Sequence, residues 1–250
     1  MTQKTLVIIP ARLAASRLPN KPLADICGKP MIMHVWERAV EANVGPVIVA
    51  CGDPEIFDAV ESFGGEAILT DPTLPSGTDR AKAAADIYDP EGTYNLVINV
   101  QGDLPTLDPA LVRQVLEPFA NPLVDMTTLA TPIEDPYELT DPNVAKIALS
   151  LEGEGPIGRA LYFSRNPIPS GAGPHYHHIG IYGFTRESLN RYVSLPVNSL
   201  EAREKLEQLR ALAHGMRLDV KIVDSNAPFG VDTPADLERA IRVIGENYSA

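Results

Sequence analysis

The sequence predicts an α/β protein with a mainly parallel central sheet, and two observations support this class. Up to residue 130, short β-branched apolar runs alternate with helical stretches, and the connections between them are short. Such alternation is typical of parallel strands that helices cover on both faces. Beyond Pro132, strand-like runs follow one another without helices between them, which predicts a small antiparallel extension.

Periodicity and turn residues locate the individual elements. Strands are predicted at residues 6–9, 47–51, 66–70, 95–100, 125–130, 144–151, 161–164, 179–184 and 218–223. Helices are predicted at residues 31–44, 54–63, 80–88, 200–214 and 233–244, and a further helix begins at residue 109. Asp53 and Asp108 each precede a proline at a helix start, so helix capping accounts for both.

Length and composition favour one soluble domain. The chain has 250 residues, of which 44% are hydrophobic and 22% charged, so we expect a single domain over residues 1–250, with the extension at about residues 132–215. No apolar run approaches the roughly 18 residues of a membrane span, and the N-terminus shows no signal-peptide pattern. Two cysteines are too few for a disulfide framework and fit a reducing cytosol.

The charge is unevenly distributed. A net charge of −12 argues against nucleic acid as a partner. Residues 1–50 nevertheless contain six lysines and arginines and only three acids, so this part of the chain is positive. A locally positive surface on an acidic protein suits a small polyanion.

The loop that follows the first strand holds most of this positive charge. It leaves the strand at Pro10 and carries Arg12, Arg17 and Lys21, with no acid before Asp25. Nearby prolines stiffen the loop because they fix φ. Three cations beyond the carboxyl end of a strand suit the binding of a polyphosphate, and a solvated basic loop is the alternative.

Two aspartates are candidate metal ligands. Asp103 follows the fourth predicted strand directly through Gly102, and Asp232 comes one residue before Thr233, the predicted cap of the last helix. Carboxylates are the ligands that Mg²⁺ prefers, and a nucleotide polyphosphate normally brings Mg²⁺. The alternative for Asp232 is a favourable charge near a helix start.

Two further motifs stay open on the residues alone. Residues 76–80 (SGTDR) are either a helix start capped by Ser76 or Thr78, or a hydroxyl, a backbone N–H and a guanidinium for a nucleotide. His175, His177 and His178 are candidate zinc ligands, but no further ligand pattern accompanies them.

Seven motifs together resemble the 3-deoxy-manno-octulosonate (Kdo) cytidylyltransferase family. They are, in chain order, IIPARLAASRLPNKPL (8–23), SGTDR (76–80), NVQGD (99–103), ALYFSRNPIP (160–169), HHIGIYGF (177–184), REKLEQLR (203–210) and GVDTPADLE (230–238). The resemblance implies a nucleotide-diphospho-sugar transferase (Rossmann-like) fold and a cytosolic homodimer with CTP and Kdo as substrates. It also implies a Mg²⁺-dependent reaction that gives CMP-Kdo and diphosphate for lipopolysaccharide biosynthesis.

The resemblance also implies roles for individual residues. The catalytic residues are Arg12, Lys21, Asp103 and Asp232, and the two aspartates are the metal ligands. The nucleotide-binding residues are Arg12, Arg17, Lys21, Ser76, Gly77, Arg80 and Gln101. The sugar-binding residues are Gln101, Arg165, His178, Tyr182, Glu207 and Gln208. We therefore expect in-line transfer, in which the anomeric hydroxyl of the sugar attacks the α-phosphorus of CTP without a protein nucleophile.

The sequence departs from the family pattern at two places. Leu104 stands where the family usually has Glu, and residues 170–172 (SGA) stand where it tends to have Trp-Asp-Arg. Two alternatives therefore remain: a cytidylyltransferase for a related 2-keto sugar acid, such as sialic acid or 8-amino-Kdo, and a non-catalytic nucleotide-binding member of the fold. Both aspartates and the cations are intact, which argues against the second.

Overall fold

A computed structural model of the chain describes residues 3–14, 17–151, 155–224 and 227–248. The chain divides into two compact units. The first consists of Met1–Val112 with Pro228–Ala250, and the second of Arg113–Ala227. The expectation of a single domain stays a prediction. Among the described residues, no helix has both the length and the apolar character needed to cross a membrane.

The described elements follow the predicted order. The strands are β1 (Thr5–Ala11), β2 (Asp25–Ile26), β3 (Lys29–Pro30), β4 (Val47–Cys51), β5 (Glu66–Leu69), β6 (Leu96–Asn99), β7 (Met126–Pro132), β8 (Lys146–Leu151), β9 (Ile157–Ser164), β10 (Tyr176–Thr185) and β11 (Leu218–Ile222). The helices are α1 (Met31–Glu41), α2 (Pro54–Ser62), α3 (Gly77–Tyr88), α4 (Pro109–Gln114), α5 (Pro136–Thr140), α6 (Arg186–Ser194), α7 (Ser199–Glu204), α8 (Gln208–Ala213) and α9 (Pro234–Tyr248). Short 3₁₀ helices occupy Lys21–Leu23 and Glu117–Ala120.

The first unit contains the predicted parallel sheet. Its strands lie in the order β5-β4-β1-β6, and each neighbouring pair is parallel. β1 is central, and its apolar residues 6–9 are completely buried. Because parallel strands end at the same edge of a sheet, the loops after β1, β4 and β6 leave the sheet together. These loops carry Arg12, Asp53 and Gln101 respectively.

The second unit contains the antiparallel extension. Its strands lie in the order β10-β7-β11-β9-β8, and β8 also pairs with β10. β7 and β11 are parallel, and the other pairings among the described strands of this unit are antiparallel. The predicted fifth strand, residues 125–130, is β7, which thus belongs to the extension. The fold class predicted from the sequence is confirmed.

The single helix predicted at residues 200–214 is wrong. Lys205 adopts a left-handed backbone conformation, with φ of 55°, and ends α7. α8 begins three residues later at Gln208. A lysine in this conformation is uncommon, so nothing in the local sequence indicated the break. Its consequence is that Glu204 and Gln208 lie on two separate helices.

Candidate active site

A cavity of about 300 Å³ lies within the first unit. Seven of the residues that the family resemblance implies line it: Arg12, Lys21, Ser76, Gly77, Arg80, Gln101 and Asp103. They come from the loops after β1 and β6 and from the start of α3. Arg12 makes no hydrogen bond or ion pair among the described residues, so its charge faces the cavity uncompensated.

The two predicted metal ligands converge on one lysine. Lys21 Nζ donates to Asp103 Oδ2 at 2.7 Å and to Asp232 Oδ1 at 3.0 Å. Arg17 Nη2 forms an ion pair with Asp232 Oδ2 at 3.0 Å. Burial lowers the pKa of Lys21, but the two carboxylates outweigh burial, and the pKa is raised above its ordinary value. Lys21 is therefore a fully charged ammonium between the carboxylates.

Close backbone packing sets the position of Asp103. A Cβ added to Gly102 would lie 2.9 Å from the carbonyl oxygen of Pro10, at the end of β1. The residue before Asp103 therefore has to be glycine, because the two backbones approach too closely for a side chain. Val231 N donates to Asp103 O at 2.9 Å, which connects this loop to the segment that carries Asp232.

The side chain of Asp232 is not needed for capping α9. Thr233 and Asp236 cap the helix reciprocally: Asp236 Oδ2 accepts from Thr233 N at 2.9 Å, and Thr233 Oγ1 accepts from Asp236 N at 3.3 Å. This arrangement leaves the Asp232 carboxylate to Arg17 and Lys21. Asp108, by contrast, accepts from Ala110 N at 2.8 Å and is the cap that the sequence predicted.

Of the two alternatives for residues 76–80, the helix start is confirmed, and nucleotide binding stays a prediction. Ser76 is the N-cap of α3 and accepts from Asp79 N at 3.1 Å, as a helix start requires. Ser76, Gly77 and Arg80 also line the cavity, so the first turn of α3 faces it. The N-terminus of a helix carries free N–H groups and a positive partial charge, which suit an anionic ligand.

Arg80 is buried at the wall of the cavity. Its side chain packs against Gly52, where an added Cβ would lie 2.9 Å from the guanidinium carbon. Nη1 donates to Thr70 Oγ1 and to Asp71 O, whereas Nη2 has no partner among the described residues. Burial and the nearby charge of Arg12 lower the pKa of Arg80. An unsatisfied buried donor is costly, so a ligand that accepts from Nη2 would gain from it.

Asp53 is a site residue that sequence reasoning missed. Its side chain makes no capping bond to α2. Instead, Oδ2 accepts from the backbone N–H of Leu13 at 2.7 Å, in the basic loop after β1. Asp53 occupies the predicted N-cap position, but the prediction that capping accounts for its side chain is wrong. The Asp-Pro pattern concealed the role, because a side chain that binds a distant backbone N–H leaves no local signal.

In the second unit, three of the predicted sugar-binding residues form one buried cluster. Tyr182 donates its hydroxyl to Gln208 Oε1 at 3.1 Å, and Gln208 Nε2 lies 3.5 Å from His178 Nδ1. His178 Nε2 lies 3.0 Å from Thr128 Oγ1. Burial, with a smaller contribution from His177, lowers the pKa of His178 to about 3. His178 is therefore neutral at physiological pH and acts as a hydrogen-bonding group.

Arg165 lies at the end of β9 and is held by backbone carbonyls. Nη1 donates to Pro142 O at 2.8 Å, and Nε donates to Glu204 O at 3.2 Å. The Glu204 carboxylate accepts from the backbone N–H of Arg165 at 3.1 Å and from Ser164 Oγ. No carboxylate pairs with the Arg165 guanidinium among the described residues, so its charge is available to a ligand.

Glu207 and the three histidines of residues 175–178 make separate contacts. Glu207 precedes α8, and its carbonyl accepts from the Tyr192 hydroxyl at 3.0 Å. His175 contacts Pro169 O at 3.0 Å, and His177 Nδ1 lies 3.4 Å from Glu138 Oε2. The three histidines thus have three different partners, and the described residues contain no group of metal-binding side chains that includes them.

A cationic cavity at the carboxyl edge of a parallel sheet, beside two converging carboxylates, suits a nucleotidyltransferase, and the comparisons with known proteins show that the chain is of this class. A sequence profile of the family described as cytidylyltransferase matches residues 6–219. The 3-deoxy-manno-octulosonate cytidylyltransferase of Paramagnetospirillum magneticum is 58% identical over 94% of this chain and 95% of its own. The corresponding protein of Parvibaculum lavamentivorans is 59% identical over 94% of this chain and 90% of its own.

Two solved structures are similar to this chain in fold. The structure of CMP:2-keto-3-deoxy-manno-octonic acid synthetase complexed with CTP matches with a TM-score of 0.89 and 38% identity, over 98% of this chain and 100% of that one. A nucleotidyl transferase from Methanothermobacter matches with a TM-score of 0.60 at 13% identity, which supports the fold alone. The chain belongs to the 3-deoxy-manno-octulosonate cytidylyltransferase family, and the resemblance drawn from its motifs is confirmed.

Proposed function

We propose that the protein transfers CMP from CTP to the anomeric hydroxyl of Kdo, giving CMP-Kdo and diphosphate. The observation that carries the proposal is the convergence of Asp103 and Asp232 on Lys21, beside a cavity lined by Arg12 and the start of α3. A nucleoside triphosphate requires cations for its phosphates and carboxylates for its metal ion, and both are present here. The names of the relatives and the CTP complex of the similar structure support the choice of substrates.

The residues present fit a bound Mg²⁺. Asp103 Oδ2 and Asp232 Oδ1 both lie within 3.0 Å of one cationic atom, Lys21 Nζ, so the two carboxylates already surround a positive charge. Hard oxygen donors of this kind are what Mg²⁺ prefers. We propose that both aspartates hold the ion, which when bound would polarise the α-phosphate and lower the negative charge that the attacking hydroxyl meets.

The cations of the first loop have a separate role. In-line attack on the α-phosphorus leaves negative charge on the departing diphosphate, and Arg12, Arg17 and Lys21 would offset it. Asp53 supports this role because it holds the backbone of the same loop at Leu13 N. No protein nucleophile takes part, so catalysis rests on positioning and charge neutralisation.

The sugar acid would bind to the second unit. Arg165 offers a guanidinium without a paired carboxylate, which suits the carboxylate of Kdo as a bidentate partner. His178, Tyr182 and Gln208 form a neutral hydrogen-bonding cluster that suits sugar hydroxyls. Glu207 completes the proposed set of contacts in this unit.

The family resemblance also bears on oligomeric state, location and biosynthetic role. We propose that the protein acts as a homodimer in the cytosol and supplies CMP-Kdo for lipopolysaccharide biosynthesis. The high identity to Kdo cytidylyltransferases over 94% of the chain supports the activity, and the family resemblance implies the homodimer, the cytosol and the biosynthetic role. Sedimentation equilibrium of the purified protein tests the homodimer, and a single species at the mass of one chain would contradict it.

One panel of assays tests the reaction and its substrates. Diphosphate release is measured with Mg²⁺, with CTP or UTP, and with Kdo, 8-amino-Kdo or sialic acid. We expect release with CTP and Kdo, and a much lower kcat/KM with UTP, since hydrogen bonds around residues 76–78 read the base. A higher kcat/KM with another sugar acid would change the substrate. No release with any pair, despite nucleotide binding, would favour a non-catalytic protein.

A further inference from the structure

Lys146 is a buried cation of the second unit that the proposed function leaves unexplained. It is the first residue of β8, and its side chain is completely buried. Nζ donates to three backbone carbonyls, those of Val144 at 2.8 Å, of Arg165 at 3.1 Å and of Asp141. Among the described residues it forms no ion pair. Every hydrogen bond of this ammonium therefore goes to main-chain oxygen.

Burying such a charge is expensive. An ammonium without a paired carboxylate loses its hydration, and carbonyl dipoles replace only part of it. In agreement, burial lowers the pKa of Lys146, with the nearby positive charge of Arg165 acting in the same direction. An apolar side chain would fill this position at a lower cost. What only the lysine can do is hold three carbonyls from two chain segments around one point.

One of those segments carries Arg165, a predicted sugar contact, and the other contacts its side chain. Lys146 binds Asp141 O and Val144 O, and between them in the chain the carbonyl of Pro142 accepts from Arg165 Nη1 at 2.8 Å. The Arg165 guanidinium is thus hydrogen-bonded to the loop 141–144. Lys146 also holds the main chain of Arg165 directly.

The segment that contains Lys146 also binds the backbone of His178, a member of the buried hydrogen-bonding cluster. The backbone N–H of His178 donates to Ala145 O at 2.9 Å, one residue before Lys146. In the sheet, Lys146 is the partner of His177 on β10 and of Ser164 on β9. Lys146 therefore lies on the strand that pairs with both β9, which Arg165 directly follows, and β10, which carries His178.

We propose that Lys146 is a positioning residue for the sugar acid, which fixes the loop 141–144 and the main chain at residue 165 so that the Arg165 guanidinium is oriented before the substrate binds. This inference rests on the proposed function and names a residue outside the family-implied set. Groups held in the binding geometry lose less entropy when the ligand arrives, so the effect of Lys146 falls on the sugar acid.

The test removes the ammonium and keeps the volume. Lys146→Met is compared with Lys221→Met, a strand lysine of the same unit that is 14% exposed and pairs with Glu117 at 2.7 Å. We expect Lys146→Met to raise KM for Kdo about tenfold or more, because small misplacements of a binding group are costly. KM for CTP and the calorimetric Kd for CTP should stay unchanged. An equal rise for both substrates, or the same rise in Lys221→Met, would overturn the proposal.

A double-mutant cycle separates positioning from general destabilisation. If Lys146 acts through Arg165, Lys146→Met should add no further increase in KM for Kdo when Arg165 is already alanine. Full additivity of the two changes would contradict this. If Lys146→Met does not fold, Lys146→Gln keeps a donor and replaces it in the cycle. If neither variant folds, Lys146 serves stability alone and the proposal is wrong.

Assays of the unsubstituted protein distinguish a failure of the proposed function from a failure of the positioning role of Lys146. Absence of diphosphate release from CTP and Kdo with the unsubstituted protein would refute the proposed function. Normal release by this protein, together with an unchanged KM for Kdo in a folded Lys146→Met variant, would refute the positioning role alone. The proposed function would then stand without Lys146.

Discussion

Lys21 Nζ lies 2.7 Å from Asp103 Oδ2, although the two residues are 82 positions apart in the chain. The same ammonium lies 3.0 Å from Asp232 Oδ1, which is 211 positions away. One cation thus gathers two carboxylates that would otherwise repel each other. A site that must hold a divalent cation needs the same arrangement of acids, so the ion pair and the proposed metal site share one geometry.

The first prediction concerns these two acids. Asp103→Asn and Asp232→Asn should each lower kcat at saturating Mg²⁺ by about 10²-fold or more, since an amide is a weaker ligand and leaves less negative charge for the metal. The fold should survive, because Thr233 and Asp236 cap α9 without Asp232. Diphosphate release and the melting temperature measure the two effects.

Asp108→Asn is the matched control for that prediction. Its carboxylate caps α4 through Ala110 N at 2.8 Å and lies outside the cavity lining. An asparagine also caps helices well, so activity and melting temperature should both stay close to those of the unsubstituted protein. Near-normal activity in either metal-site variant would contradict the assignment, and a large fall in melting temperature for Asp232→Asn would give it a structural role instead.

The second prediction concerns the glycine before Asp103. In Gly102→Ala, the new Cβ would lie 2.9 Å from Pro10 O, which is backbone and cannot move aside cheaply. The loop after β6 must therefore shift relative to β1 and carry Asp103 away from Lys21. We expect kcat to fall by about tenfold or more. Gly155→Ala, where a Cβ meets nothing within 4 Å, should leave kcat unchanged. Equal activity in both variants would show that the close approach does not matter.

Structural features that depend on neighbouring residues could be predicted from the sequence, whereas features that depend on contacts between remote segments could not. β4 matches its predicted bounds because a short apolar run between turn residues is a local signal. The break at Lys205 and the role of Asp53 were not predictable, since each depends on a contact with a remote segment or on an uncommon backbone conformation. Lys146 belongs to the same group, because its partners are main-chain oxygens that leave no mark in the sequence.

The residues of the candidate site also differ in whether the sequence alone could indicate them. Composition and spacing indicated the basic loop and the acids that follow β6 and precede α9, because charge on strand-end loops is visible in the sequence. The sugar contacts came from the family resemblance alone. Arg165, for example, ends an apolar strand, and its approach to Glu204 depends on the pairing of β9 in the sheet.

The third prediction concerns pH. The pKa of His178 is about 3 in the folded protein, well below its unfolded value of about 6.5. Between these values the unfolded chain binds a proton that the folded protein does not, so the free energy of unfolding falls as the pH falls. The limiting slope for one such group is about 1.4 kcal/mol per pH unit. Full stability from this group is present above the unfolded pKa.

His178→Gln tests this linkage. Glutamine keeps an uncharged hydrogen-bonding side chain, so the variant should lose less unfolding free energy between pH 7 and pH 5 than the unsubstituted protein does. Urea unfolding at both pH values gives the difference. Burial also lowers the pKa of His34 and of His177, so a smaller slope will remain. An unchanged slope in His178→Gln would mean that His178 takes up a proton in the folded state.

The last prediction concerns Arg165 itself. Its guanidinium donates Nη1 to Pro142 O at 2.8 Å and Nε to Glu204 O at 3.2 Å, which fixes the plane of the fork. Nη2 makes no hydrogen bond among the described residues and is available to a carboxylate. Arg165→Lys keeps the charge but loses both the fork and its fixed plane. Binding of Kdo should weaken by about 1–3 kcal/mol, the scale of a charge-assisted hydrogen bond. Steady-state titration of Kdo measures this loss, and calorimetry should find CTP binding unchanged. Arg159→Lys, an exposed arginine on the same strand, is the control and should affect neither ligand. A loss confined to CTP would remove Arg165 from the sugar-binding residues, and no loss for either ligand would make it a structural arginine whose carbonyl contacts serve the fold.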